Sequence, residues 1–558
     1  MIINFLELFL KYSVFFLYFY LVGNSFITIL DKKYNLNTEN FLFLRAGYLS
    51  PLIGMILISN FLFLINTFLG LATGIVYILL FLFIIPSLFK SIKFIKSKNY
   101  INFLKFGFYY LLIPSILLIS TFDINFNYDA GYYHLLHQNW LRESNLIIGM
   151  VNIFWAFGMS SIYEYISAIL WFDNSFVLLH FLNIFFIHFF YIFISENLFE
   201  NKRKYLFNAS FFVLIYSLLD NFGIGGGRNG FIYIQGITKQ DVTVGILFFF
   251  IAIVCFQKIK DNSVTKYELF FISIISLFIY QIKVSGVLIF LIYIALIMNE
   301  YANKRYSFKE IVTINSPFLI IGTLWSIKNL FTTGCLIFPL KITCITSFSW
   351  YLSGSTEIYE SITKNSSLAF NWSESFLDWV QNSGAFEYRN QIYTNFLVSI
   401  VILLLVKVIF FEKEKPDKKL LFLMLSFLLI NFTYLLFFGP IPRYAIGATL
   451  TSVGVIGFLS SDVKLNLKKN HIYLIIFLSI FFLVRADSYI AFWNNNDFRF
   501  FDPRSNYKIN VEIGFEQRYE NWVKPLDQDQ CWSNLACTMT EYDIALEENG
   551  IFTTAFKK

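Results

Sequence analysis

Between Thr121 and Asn152 the chain carries its densest set of residues able to move protons or hold anions: TFDINFNYDAGYYHLLHQNWLRESNLIIGMVN. Asp129 is a carboxylate that could take a proton from a hydroxyl, and Arg142 a guanidinium that could hold an anionic group. From Asp129 to about Ser144 the spacing predicts an amphipathic helix lying on a membrane surface. Asp129, Tyr133, His137 and Leu141 fall on one stripe; His134, Gln138 and Arg142 fall on the next. A carboxylate at the start of such a helix is favoured by the helix dipole. The plainer reading makes Asp129 an N-cap and puts His134 and His137 at headgroup level. Asp123 is the second candidate base. Asp129, His134 and His137 could in principle bind a metal ion, but no metal and no cofactor is expected.

Other polar segments offer cations. The stretch Asp220–Asp241, DNFGIGGGRNGFIYIQGITKQD, contains three consecutive glycines, Gly225 to Gly227, that permit close backbone approach to a ligand. Arg228 and Lys239 could then contact a phosphate, although a flexible turn explains the glycines as well. It is no P-loop, because no Lys-Ser/Thr follows at the required spacing and no strand precedes it. Lys283 interrupts the apolar run Leu269–Met298; an ionisable residue there is a functional candidate or a snorkelling anchor. Lys328 ends another apolar run, and Arg443 sits in the short turn GPIPRYAIG. If Arg228, Lys283, Lys328 and Arg443 converge, they suit a phosphate or pyrophosphate. Trp350, Trp372 and Trp379 in the loop 340–393 could stack on sugars or mark a membrane interface.

The elements that must position these residues are membrane helices. Of 558 residues, 57% are hydrophobic, 21% aromatic and only 14% charged. A soluble chain averages about 25% charged residues, so a soluble globular domain is excluded. We expect an all-α polytopic membrane protein with about 11 to 14 spans, amphipathic outer-loop helices and a small extracytoplasmic C-terminal cap. Residues 1–100 hold N-terminal spans, 101–485 the core with outer loops 123–173, 220–242 and 328–393, and 486–558 the tail. Short Lys- and Arg-rich loops stay cytoplasmic, and this rule puts every candidate above on the outer face. The net charge of +6 comes from those inner loops and does not indicate nucleic-acid binding. No cleavable signal peptide, Ser-His-Asp order, zinc set or nucleotide fingerprint stands out. Cys335 with Cys344, and Cys531 with Cys537, lie on the oxidising side and are expected to form two disulfides; four free thiols are the alternative.

Two resemblances add a reaction class. Asp129-Ala-Gly-Tyr-Tyr133, just outside a span, resembles the start of the first outer loop of GT-C glycosyltransferases. Ala130 stands where many members carry a second acidic residue, and about three extra spans precede the loop. The resemblance implies a GT-C-like core, with Asp129 as catalytic base and Tyr133 lining the acceptor. It also implies a polyprenyl-phosphate-linked sugar donor and a glycan or lipid-linked acceptor. The stretch YDAGYYHLLHQNWL…GMVNIFWAFGMSSIYEYISA, with GCLIFP and DQCWSNLACT, is similar to multispan proteins of bacterial surface-polysaccharide gene clusters. Together these imply a glycosyltransferase of the bacterial inner membrane acting at its outer face. A polysaccharide polymerase or lipid-linked glycan transporter is the alternative. On the enzyme reading, the outer cations stabilise the departing phosphate.

Overall fold

In the computed structural model the described residues are 2–34, 42–86, 105–118, 120–121, 126–171, 176–200, 204–219, 236–352, 355–366, 375, 378, 400–408, 417–438, 442–460, 514–526 and 529–558. Among them seven helices are long and apolar enough to cross a membrane: Phe5–Asp31, Ala46–Asn66, Val177–Phe199, Asp241–Asp261, Val284–Ala302, Phe308–Thr333 and Lys418–Leu435. The chain is a multi-pass, mostly helical membrane protein. Other expected spans are shorter helices within the described residues, such as Gly74–Leu82, Lys204–Leu219 and Ile446–Phe458. Residues 470–485, the last apolar run before the tail, lie outside the described residues.

Between membrane helices the hydrophobic effect contributes little, so close packing has to hold them together. Glycine supplies it at the crossing of helices Ile2–Tyr34 and Ala46–Asn66. A Cβ on Gly23 would stand 1.8 Å from the Ser50 carbonyl oxygen, and one on Gly54 1.9 Å from that of Phe19. Elsewhere phenylalanines interlock edge to face, as Phe189 and Phe193 do with Phe250 at 5.2 and 5.0 Å between ring centres.

Helix direction sorts the charges to two ends. The helix Asp241–Asp261 runs away from Asp241, the next one, Lys266–Ile282, runs back towards Lys283, and Phe308–Thr333 ends near Lys328. These three residues therefore share an end. The opposite end carries the basic turns. There Thr265 with Glu268, and Ser307 with Glu310, form capping boxes that start the next helices. Lys258 pairs with Glu268 at 2.5 Å and Arg305 with Glu300 at 3.2 Å, which stops the basic turns from leaving unpaired buried charge.

The loop end is roofed by the first loop and the tail together. The described tail is β structure, which composition alone did not suggest. Hairpin Ile544–Asn549/Phe552–Lys557 adds the two-residue strand Ile147–Ile148 of the first loop in parallel, with Ile147 opposite Thr553. A second hairpin pairs Phe515–Tyr519 with Trp522–Pro525. Cys531–Cys537 is disulfide-bonded, and Trp532 N–H in its loop donates to the Gly131 carbonyl at 2.8 Å. Cys335–Cys344 closes a second loop at the same end. Leu136, Trp140, Met150, Phe154, Trp522 and Ile544 form the small core of this roof. The helix carrying the two histidines is thus clamped between bundle and cap.

Candidate functional site

The segment expected to be one surface helix is neither regular nor on the surface. Ala130–His134 is a π turn, with the Leu135 N–H bonded back to the Ala130 carbonyl, and a regular helix follows over Leu135–Glu143. A π turn sets residues five apart side by side and shifts everything beyond it, so the two predicted stripes do not form. Asp129 does not cap the helix with its side chain. His134 and His137 are buried, at 8% and 2% exposure, which rules out a headgroup position.

What the irregular turn achieves is a pair of histidines on one carboxylate. Glu164, from the helix Ile162–Ala168 and 2% exposed, receives His134 Nδ1 on Oε1 at 2.5 Å and His137 Nδ1 on Oε2. Ser161 caps that helix by accepting the Tyr163 N–H, which fixes the direction of the Glu164 side chain. Burial pushes the Glu164 carboxyl up, but the two imidazoles outweigh it and hold the group below its ordinary range.

Beside this triad lies a chain of opposite charges. Asp129 pairs with Lys239. Burial raises the Asp129 carboxyl, and the Lys239 ammonium more than reverses that, with His134 and Arg443 assisting. Asp241, 2% exposed at its side chain, pairs with Lys283 at 2.5 Å and stands 3.7 Å from Arg443 Nε. Burial acts to lower the Lys283 ammonium, and Asp241 with Tyr444 acts to raise it and prevails. Lys283 also lies 4.1 Å from the centre of the Tyr444 ring. Tyr133 connects the two groups. Its ring centre is 4.0 Å from that of His134, and its hydroxyl is raised by burial and by Asp129, Glu164, Tyr444 and Asp241.

Glycines bring Arg443 onto Asp241. A Cβ on Gly245 would meet Ile446 Cγ2 at 2.3 Å, and one on Gly447 would meet Phe248 Cβ at 2.9 Å. The helices Asp241–Asp261 and Ile446–Phe458 therefore approach closely just where their first residues carry the charges. The cluster sums three cations (Lys239, Lys283, Arg443) against two carboxylates (Asp129, Asp241), a surplus of one positive charge. Around it, among the described residues, Thr238 Oγ1, Gln240 Nε2 and Arg443 Nε are buried without a hydrogen-bond partner. Surplus charge and unused donors together suit one added anionic group.

A family model described as a domain of unknown function, DUF8201, matches residues 5–450. The chain belongs to the DUF8201 family. No curated protein and no solved structure gives a significant match. Every residue of the charged cluster and the histidine–glutamate triad lies inside the DUF8201 match, and the C-terminal cap lies beyond it.

Of the expected site residues in this DUF8201 chain, Asp129, Tyr133, His134, Lys239, Lys283 and Arg443 come together. His137 joins through Glu164. Arg142 does not: it donates to the Ala168 carbonyl at 2.8 Å and covers the Trp171 ring at 5.1 Å, a pin between loop and bundle. Lys328 does not join the cation group either. It is buried, donates to Ser160 and Asn329, and lies 4.3 Å from the Trp325 ring centre. With His137 it lines a small cavity of about 10 Å³, near the lower limit for one water molecule. Trp350 is used structurally, donating to the Leu330 carbonyl and stacking on Phe348. Asp123, Arg228, the glycines 225–227, Trp372 and Trp379 lie outside the described residues. Sequence reasoning passed over Glu164. Its signal was available, an acidic residue inside the otherwise apolar IYEYISAILW.

Proposed function

We propose that this end of the protein is the active site of a membrane glycosyltransferase that takes a sugar from a polyprenyl-phosphate carrier on the outer face of the bacterial inner membrane. The acceptor is a cell-surface glycan or lipid-linked hydroxyl compound. One observation carries the reading: Lys239, just ahead of the helix Asp241–Asp261, Lys283, just past Lys266–Ile282, and Arg443, on the short turn Pro442–Ala445, converge on Asp129 and Asp241 with one positive charge in excess and, among the described residues, donors to spare. A lipid phosphate has the charge to fill that place, and its leaving as phosphate needs that charge. In the absence of such a ligand the carboxylates hold the cations in position. Asp129, the base implied by resemblance, is neutralised by Lys239, and a carboxylate held below its ordinary range is a poor proton acceptor. Its role in this reading is to orient Lys239. Ionisable residues gathered at one end, rather than at mid-span, favour surface catalysis over a transport path.

The test is surface-glycan analysis in a deletion strain carrying wild type or Arg443→Gln, with membrane levels matched. Wild type should restore a missing sugar, Arg443→Gln should not, and carrier-linked sugar should accumulate where an added impermeant glycosidase can reach it. Restoration by Arg443→Gln at the wild-type rate, or accumulation on the inner leaflet only, would sink the proposal.

A further inference from the structure

The charged cluster suits an anion, but its carboxylates are both held in ion pairs and neither is a free proton acceptor. A hydroxyl attacking a sugar must lose its proton as the new bond forms, and Asp129 is spoken for by Lys239. The two histidines are the remaining candidates, and the structure treats them differently.

Glu164 is an ionised carboxylate, which can only accept hydrogen bonds. Both rings must therefore present Nδ1–H to it, and in the neutral form each then has its lone pair on Nε2. One carboxylate so fixes the tautomer and the orientation of two imidazoles. His137 is stacked on Phe157 at 5.1 Å between ring centres and lines the narrow cavity shared with Lys328, which has room for about one water molecule. His134 is on the π turn with Asp129 at its head and Tyr133 against its ring. Its side chain keeps 10% exposure against 2% for His137.

We propose, on the transferase reading above, that His134 is the general base of the reaction and Glu164 its positioning residue. The acceptor oxygen forms a bond to the anomeric carbon while its proton passes to His134 Nε2. The bond from that carbon to the phosphate oxygen breaks, and the carrier phosphate leaves with the electron pair towards Lys239, Lys283 and Arg443. The imidazolium formed on His134 is stabilised by Glu164 and returns its proton to solvent. His137 supports Glu164 from the closed side and touches no substrate.

Asparagine is the informative replacement, because its amide nitrogen stands where Nδ1 stood and keeps the bond to Glu164 while Nε2 is removed. In the deletion strain, with matched membrane levels, His134→Asn should slow sugar addition at least about 100-fold. His137→Asn, which leaves the His134 ring in place, should lose far less. Equal rates for the two variants would overturn the assignment. Glu164→Asp should recover part of the rate lost in Glu164→Gln; no difference between them would reduce Glu164 to a structural residue. An independent readout uses purified wild-type protein and diethyl pyrocarbonate, with mass spectrometry of the product. Carbethoxylation on His134 and protection of His137 is expected, and the reverse pattern rejects the base whatever the glycan shows. If wild type itself changes no glycan, the transferase reading fails and this proposal falls with it.

Discussion

Asp241→Asn is the substitution whose consequence the structure fixes best. Asp241 is 2% exposed at its side chain and is shared by Lys283 at 2.5 Å and Arg443 at 3.7 Å. Removing its charge raises the surplus in the cluster from one positive charge to two. Leaving a fully buried partner charge unpaired costs about 3–5 kcal/mol. Here the two cations keep 32% and 35% of their side-chain exposure, so water screens part of that cost. We expect a loss of about 2–3 kcal/mol. Lys283→Met in the same chain brings the surplus back to one, and the double variant should recover roughly 1–2 kcal/mol of the loss as coupling. The assay is the apparent unfolding temperature in lipid nanodiscs, followed by tryptophan fluorescence, for wild type, both single variants and the double. Unfolding of a multi-span chain is commonly irreversible, so the cycle is read at one fixed scan rate. The reasoning is refuted if Asp241→Asn unfolds with wild type, or if the double variant loses as much as the two singles added together.

Four further outcomes are expected. The Asp129 carboxyl is held below its ordinary range, so the Asp129–Lys239 pair stabilises the fold above that range and the contribution is lost as pH falls through it. The stability gap between wild type and Asp129→Asn should therefore be open at pH 7 and close below about pH 4, read from unfolding temperatures across that interval. Gly23→Ala places a Cβ 1.8 Å from a backbone oxygen that cannot swing aside, so it should cost roughly 1–3 kcal/mol or more and lower the amount of protein in the membrane. Of the five cysteines, only Cys255 should be alkylated after denaturation without reductant, giving one adduct by mass; removal of Cys531–Cys537 as a Ser pair should cost about 2 kcal/mol.

The sequence by itself determined the solvent. A chain with 14% charged residues and repeated long apolar runs has no alternative to a bilayer, because its backbone polar groups must be satisfied within helices there. It also determined the sorting of charges, since the apolar runs that Asp241, Lys283 and Lys328 bound reverse direction in turn and so bring all three residues to one end. Capping boxes at Thr265 and Ser307 could be read in the same way, as local hydrogen-bonding patterns that need no partner helix. Only the tertiary structure decided which cations meet. Arg443 joined Lys283 on Asp241 because Gly245 and Gly447 let two helices touch, whereas Lys328 at the same end was diverted to Ser160 and Trp325. Only the tertiary structure, too, put a π turn after Asp129 and set two histidines on Glu164. Glu164 lies far along the chain from both, and the helical period that predicts side-chain stripes fails where a turn takes in one residue more. Patterning within one helix is local and legible; the choice among equally charged partners depends on a few ångströms of backbone approach that no single segment encodes.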